Sequence, residues 1–403
     1  MGVTPGLGVW LPPLDPATRR PRFRVGDVVR AVLADATTCP PLAPTPLHAL
    51  RAMAQCRTAA LGGHLDRCGA CGAERPSYNS CRNRHCPSCQ GSAARAWVSQ
   101  RLERILPVPH FHVVFTVPAA LRPLFALDPA GMYDRLFAAA TTTLRILAAD
   151  RWGVQLGITA VLHTWNQDLG YHPHLHCIVT GGGLDPSGRW KASLDGYLLP
   201  QRWLASFFCG AMVRALRTSY ADKTLVVPRA WDRPKPFSAA MRRVYSEDWV
   251  VYAKRPFGGP EGIFEYLGRY THKVGISDHR LVDVTDDTIT FARRNRAPAT
   301  VTPAEFVRRL ARHILPDGFR KIRHYGLYAS SNAHTRLEVA RAQIPAPPPP
   351  APTVHELADV VDVVRCVEDE NVRQCPVCQA WAVHRLLLPR ARPTPQPARF
   401  DSS

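Results

Sequence analysis

Three imidazoles and two phenols stand out by type and spacing. In the run 163–176 (HTWNQDLGYHPHLH), His174 and His176 are one residue apart. On a strand, alternate side chains share a face, so both rings point the same way. Two convergent imidazoles are the minimum for a divalent-metal site. His163 ends the preceding strand candidate, and antiparallel pairing of the two strands sets it beside the pair. Three neutral nitrogens with other positions open suit a catalytic rather than a structural ion. Gln167, Asp168 and His172 compete as third ligand or as groups that orient the ligands. The alternative is a surface strand that happens to be His-rich, since the H-x-H spacing alone is a weak signal.

The second motif is 265–277 (EYLGRYTHKVGIS), where Tyr266 and Tyr270 are four apart and share one face of a helix. Such pairs usually pack in a core, but Arg269, His272 and Lys273 crowd the same stretch. A free tyrosine titrates near about pH 10 and is a poor nucleophile at neutrality. Its attack on a phosphodiester needs a Lewis acid on the phosphate and cations around the developing charge. His-bound Mg²⁺ or Mn²⁺ supplies the first, and neighbouring Arg and Lys the second. The product is a phosphotyrosine and a free 3′-hydroxyl, and a second tyrosine permits a second transfer before the first end is released.

Cysteines form the densest cluster, in 64–90 (HLDRCGACGAERPSYNSCRNRHCPSCQ). Cys68/Cys71 and Cys86/Cys89 are two C-x-x-C pairs with fourteen residues between them, a spacing that suits a tetrahedral Zn²⁺ site. Cys56, His64, Cys81 and His85 are left over for a second, interleaved site, or the two histidines line the first site or contact nucleic acid. Arg57, Arg67, Arg75, Arg82 and Arg84 give this module a positive surface suited to phosphate contacts.

The surrounding elements fit a mixed α/β domain. Strands are expected at 111–117, 157–163 and 174–180, and helices at 132–149, 201–219 and around 264–273. The chain divides into a Pro-rich, mostly extended lead-in (1–45), a zinc-binding module (46–95), a main domain (100–340), a polyproline-type spacer (341–353) and a tail (354–403). In that tail Cys366, Cys375, Cys378 and His384 offer a further zinc site. Fifty-one Lys+Arg against 32 Asp+Glu give a charge of +19, which favours a polyanionic partner, although Arg abundance in a high-GC genome also raises it. No signal peptide or membrane-spanning run is expected, so a reducing, cytoplasmic setting follows, in which clustered Cys and His read as metal sites.

Five runs occur in one order: 78–90 (YNSCRNRHCPSCQ), 111–118 (FHVVFTVP), 162–184 (LHTWNQDLGYHPHLHCIVTGGGL), 266–277 (YLGRYTHKVGIS) and 321–330 (KIRHYGLYAS). In these the chain resembles the two-tyrosine rolling-circle transposases of bacterial insertion sequences, within the HUH endonuclease superfamily. The resemblance covers roughly residues 46–335. It implies an α+β fold, with an antiparallel-sheet nuclease domain and flanking helices preceded by a small zinc-binding domain. It further implies Tyr266 and Tyr270 as nucleophiles forming 5′-phosphotyrosine links, and His174 and His176 as ligands of Mg²⁺ or Mn²⁺. His163 follows as third ligand from the relaxases of the wider superfamily. Asn166 departs from the family pattern, which has Gly there. Arg82, Arg84, Arg269 and Lys273 are the expected DNA contacts, and single-stranded or hairpin element ends, met at the bacterial nucleoid, the expected partner. A plasmid relaxase or replication initiator with the same chemistry, and a non-catalytic zinc-ribbon DNA-binding protein, are the competing readings. A metallohydrolase is disfavoured because no H-x-H-x-D-H pattern follows His176. Oligomeric state is left open.

Overall fold

A computed structural model describes residues 21–91, 96–97, 100–101, 104–193, 198–254, 275–345 and 373–390. Tyr266, Tyr270, Arg269 and Lys273, with the helix expected around 264–273, lie outside the described residues, as does Cys366.

The chain begins with α1 (Val25–Ala34) and α2 (Pro44–Ala54), followed by the hairpin β1 (Gly63–Cys68) and β2 (Glu74–Tyr78). The lead-in is therefore not uniformly extended. Val25, Val28, Val29 and Val32 recur at helical spacing and are buried, so that apolar stripe outweighs the β preference of valine. α1 lacks a cap from its own N-cap residue, and the carboxylate of the distant Asp278 accepts from Val25 N–H at 2.9 Å instead.

β3 (His110–Thr116) leads through α3 (Arg122–Leu127) into α4 (Pro129–Trp152). Asp128 caps α4 by accepting from Gly131 N–H at 2.9 Å, and Gly153, at φ +62°, ends it in the left-handed conformation that glycine tolerates. There follow β4 (Gln155–Trp165), β5 (Tyr171–Leu184), β6 (Trp190–Ala192), α5 (Gln201–Ala221), α6 (Pro234–Ser246) and β7 (Val251–Lys254). Beyond residue 275 come β8 (Leu281–Val284), β9 (Ile289–Arg293), β10 (Arg296–Val301), α7 (Pro303–Ala311), β11 (Ile322–Gly326), α8 (Arg336–Gln343), β12 (Arg373–Gln374) and β13 (Trp381–Leu388). Each strand expected from the main domain's sequence is present: β3 is shifted by one residue, and β4 and β5 extend beyond their expected bounds at both ends.

The main sheet has the order β11-β4-β5-β3-β7, with β6 paired to β5, and every pairing is antiparallel. Strand alternation divides its faces. Phe111, Val113, Phe115, Ile158, Ala160, Leu162, Leu175, Cys177 and Val179 pack with α3 to α6 in the main core. The intervening residues, including His110, His112, His163, His174 and His176, belong to the opposite face.

A second core joins parts far apart in sequence. It holds Val28 and Val29 of α1, Leu50 and Met53 of α2, Cys56, Cys86, Ile276, Phe291 of β9, Phe306 and Leu310 of α7, and Leu169. Leu169 lies in the loop joining β4 to β5, fully buried at φ +55°. Replacing Leu169 by Ala keeps the backbone demand and removes the packing. We expect a loss of about 2–4 kcal/mol, read as a lowered midpoint of urea unfolding. A loss of less than about 0.5 kcal/mol would mean that the loop is not anchored there.

Candidate metal centre and two thiolate clusters

β4 and β5 pair so that His163 stands directly opposite His174. His176, two residues on, shares their face, and one ring nitrogen from each of the three lies within 4.8 Å of the others. The His163 ring centroid is 4.2 Å from that of His176 and 5.4 Å from that of His174. Pro173 brings no N–H to the ladder and falls where the β4–β5 register shifts, so the sheet tolerates it there.

The ligand set is chemically prepared. His174 Nδ1–H donates to the His172 carbonyl at 2.7 Å, which leaves Nε2 with a lone pair. His176 Nδ1 lies 2.7 Å from His112 Nε2 on the neighbouring β3, so its Nε2 is likewise turned to the cluster. Burial holds His174 and His112 down near about 4 and His176 well below its ordinary value, with the neighbouring rings and Lys254 adding to the effect. His174 and His176 are therefore neutral at pH 7, as metal ligation requires. His112 escaped the sequence reading, although the alternation in β3 that puts His110 and His112 on one face repeats the H-x-H signal.

The loop between the histidine strands is tied down at successive carbonyls. Gln167 O accepts from Arg280 at 2.6 Å, Asp168 O from Arg309 at 2.9 Å, and Leu169 O from His313 Nε2–H at 3.1 Å. Asn166 organises its start, with Oδ1 accepting from Asp168 N–H at 3.0 Å and Gly170 N–H at 2.7 Å, a turn geometry that a glycine side chain cannot supply. The Gln167 amide oxygen takes Arg294 N–H, and the Asp168 carboxylate takes Arg293 at 2.6 Å. These side chains therefore face the β9–β10 hairpin and not the histidines, whereas His172 meets the site through its carbonyl.

The cysteines are grouped differently from the expected arrangement. Cys86 and Cys89 come together with Cys56 and Cys81, while Cys68 and Cys71 come together with Cys375 and Cys378. The correction has a structural cause: Cys68 ends β1, which pairs with β13 on one side and β2 on the other. His64, on β1, and His384, on β13, belong to neither group. His85 Nε2 accepts from Leu315 N–H at 3.1 Å, and burial lowers its pKa to about 3. Arg84 is also turned inward, donating to the carbonyls of Phe319 at 2.5 Å and Pro316 at 2.6 Å. Both residues dock the module on the main domain, while Arg82 is exposed.

The Cys81 and Cys89 sulfurs are 3.8 Å apart, and Cys81 N–H points at Cys56 Sγ at 3.4 Å. Tetrahedral Zn²⁺ with bonds of about 2.3 Å separates its thiolates by about 3.8 Å, whereas a disulfide needs about 2.05 Å. The donor set and spacing therefore fit zinc.

An antiparallel sheet bearing clustered imidazoles, joined to a thiolate-rich module, defines a metal-dependent α+β protein. A family model described as "Putative transposase" matches residues 157–335, and one described as "Transposase zinc-binding domain" matches residues 29–117. The chain is 38% identical over 341 residues to "Putative transposase y4qJ" of Sinorhizobium fredii, covering 82% of this chain and 86% of that one. It is 31% identical over 334 residues to "Transposase for insertion sequence element IS801" of Pseudomonas savastanoi pv. phaseolicola, covering 78% and 79%. The chain belongs to the IS91/IS801-type insertion-sequence transposases, DNA-cleaving and strand-transferring enzymes with a zinc-binding domain. No solved structure matches it. Among the described residues no helix is long and apolar enough to cross a membrane.

The buried rings generate a pH dependence. His110, His112, His174, His313 and His324 are held near about 4 by burial, against about 6.5 in the unfolded chain. Between these values the unfolded chain binds more protons, so stability falls as pH is lowered through that window. Each ring contributes up to about 1.4 kcal/mol per pH unit. The urea midpoint of metal-free protein should therefore drop steeply from pH 6.5 to pH 4.5. A midpoint that does not move would show that these rings are hydrated in the folded chain.

Proposed function

We propose that this transposase cleaves and rejoins single DNA strands by tyrosine attack, in the rolling-circle manner of HUH endonucleases, with single-stranded or hairpin element ends as substrate. The observation that carries this reading is the convergence of His163, His174 and His176 on one face of two paired strands. These three residues would hold Mg²⁺ or Mn²⁺, which supplies Lewis acidity at the scissile phosphate when bound. Cys56, Cys81, Cys86 and Cys89 would hold a structural Zn²⁺.

Tyr266 and Tyr270 are the proposed nucleophiles, and the residues flanking their segment support this. Lys254, on β7, is directly opposite His112 of β3, whose ring meets His176. On the far side a Cβ at Gly275 would meet Leu169 and His313, so this glycine lies beside the loop that joins the histidine strands. The described residues on either side of 255–274 thus both lie in the surroundings of the imidazoles. In the reaction a phenolic oxygen bonds to phosphorus and the bond from phosphorus to the 3′-oxygen breaks. The phenolic proton ends on the departing 3′-hydroxyl, and the 5′-phosphate stays on the tyrosine. Arg269 and Lys273, three and seven residues after Tyr266 in sequence, and the exposed Arg82 are proposed contacts to phosphates.

Incubation with single-stranded element ends and Mn²⁺ should give an SDS-stable protein–DNA adduct, whose linked residue mass spectrometry places at Tyr266 or Tyr270. The adduct should vanish in the Tyr266→Phe/Tyr270→Phe variant and fall at least about 100-fold in His174→Ala/His176→Ala. An adduct that survives in the double Phe variant would refute the tyrosine assignment. Replacing His112 by Ala, which removes the partner of His176 Nδ1, should weaken Mn²⁺ binding about 10–100-fold by calorimetry. Unaltered affinity would make that contact incidental to the metal.

A further inference from the structure

We propose that Cys68, Cys71, Cys375 and Cys378 bind a second Zn²⁺, which clasps the strand pair at residues 373–388 to the amino-terminal hairpin. The four sulfurs belong to one group within 4.8 Å although some three hundred residues separate the two pairs. Cys68 Sγ is 3.7 Å from Cys378 Sγ, and Cys71 Sγ is 3.8 Å from Cys375 Sγ. These separations match the edge of about 3.8 Å in a tetrahedral zinc–thiolate site and are far beyond a disulfide bond.

The backbone around the two C-x-x-C pairs is built alike. Cys68 N–H donates to Ala73 O at 2.9 Å, and Cys375 N–H donates to Ala380 O at 2.8 Å. Gly72 N–H donates to Cys68 O at 3.0 Å, and Gln379 N–H donates to Cys375 O at 2.9 Å. Gly72 and Gln379, each four residues after the first cysteine of its pair, take φ of +74° and +62°. Two knuckles of one geometry thus face each other, one from each end of the chain. Gln379 accepts a conformation that ordinary side chains avoid, and an ion that needs the knuckle explains why. Val377 N–H also points at Cys375 Sγ at 3.4 Å, a contact that favours thiolate over thiol.

Packing makes the ion necessary. Among the described residues, the four-stranded sheet β12-β13-β1-β2 has as its own core only Cys68, Cys375 and Val383, with Ala73 and Ala382 against them. Arg385 bridges to Asp66 on β1 at 2.7 and 2.9 Å, but both groups are partly exposed, and such pairs contribute little. A sheet with so little apolar burial needs a covalent or metal cross-link to persist, and four thiolates select a soft ion such as Zn²⁺.

The test uses the full chain purified with zinc. Elemental analysis, carried out in a His174→Ala/His176→Ala background that removes the imidazole site, should find two zinc ions per chain. The Cys68→Ser/Cys71→Ser and Cys375→Ser/Cys378→Ser variants should each retain one, and the variant combining all four changes should also retain one. Two zinc ions retained by either pair variant, or only one in the background chain with its cysteines intact, would overturn the clasp. Should a variant lose all its zinc by misfolding, the wild type decides the matter by timed alkylation and peptide mass mapping. Cys71 and Cys378 are exposed, so metal ligation is what would shield them. They should react slowly when zinc-loaded and together become fast when a chelator is added. Fast reaction in the zinc-loaded chain refutes the proposal.

Discussion

The burial of Leu169 is the constraint on which the arrangement of the imidazoles depends. A leucine at positive φ costs on the order of 1–2 kcal/mol, and complete removal of its side chain from water returns about 1.5–3 kcal/mol. The balance favours the native loop only because the second core already exists to receive it. That core is made by α1, α2, two cysteines of the zinc module, β9 and α7. Ile276 enters the same core, and Asp278 follows it, taking Val25 N–H with one oxygen and Ser88 Oγ–H with the other. One set of contacts thereby holds the histidine loop, the chain just beyond the tyrosine segment and the cysteine module.

The electrostatics of the site follow from this packing. A chain with a formal charge of +19 would gain nothing from further cations in a buried cleft, and desolvation keeps these rings neutral. Their hydrogen bonds then select the tautomer. Carbonyls only accept, so the bond from His174 to His172 O and that from His313 to Leu169 O place the protons without ambiguity. An all-imidazole set suits Mn²⁺ better than Mg²⁺, which prefers oxygen. Among the described residues no carboxylate joins the ligand group, so an ion held there would draw any hard oxygen donors from outside it.

Much of the main domain was legible because its signals are local. The alternation in HLHCIVT and FHVVFTV predicts strands, and the H-x-H spacing predicts a shared face, since both depend on neighbours two residues apart. Pairing of His163 with His174 was accessible through the short loop between them. The cysteine partners were not, because three C-x-x-C pairs and six single cysteines can be divided in many ways. Nearness in sequence favoured Cys68/Cys71 with Cys86/Cys89, but strand pairing over three hundred residues decided otherwise. Arg84 reads from sequence as a DNA contact and His85 as a candidate zinc ligand, while the structure turns both toward carbonyl and amide groups of residues 315–319. Such docking depends on the facing domain, which no local pattern records.

The two thiolate clusters differ in what surrounds them, and that difference assigns them different work. Cys56 and Cys86 are part of a core of more than a dozen apolar side chains that would hold much of its shape without an ion. Cys68 and Cys375 have almost no such support. Closing a loop of some three hundred residues is entropically costly, though the cost grows only slowly with length. A cross-link made of four metal–thiolate bonds offsets it where three buried side chains would not. The amino-terminal hairpin consequently gains its full sheet only after the last part of the chain has been made. Its β1–β2 edge stands open to other strands until then, and closing that edge with β13 removes a site for unwanted pairing.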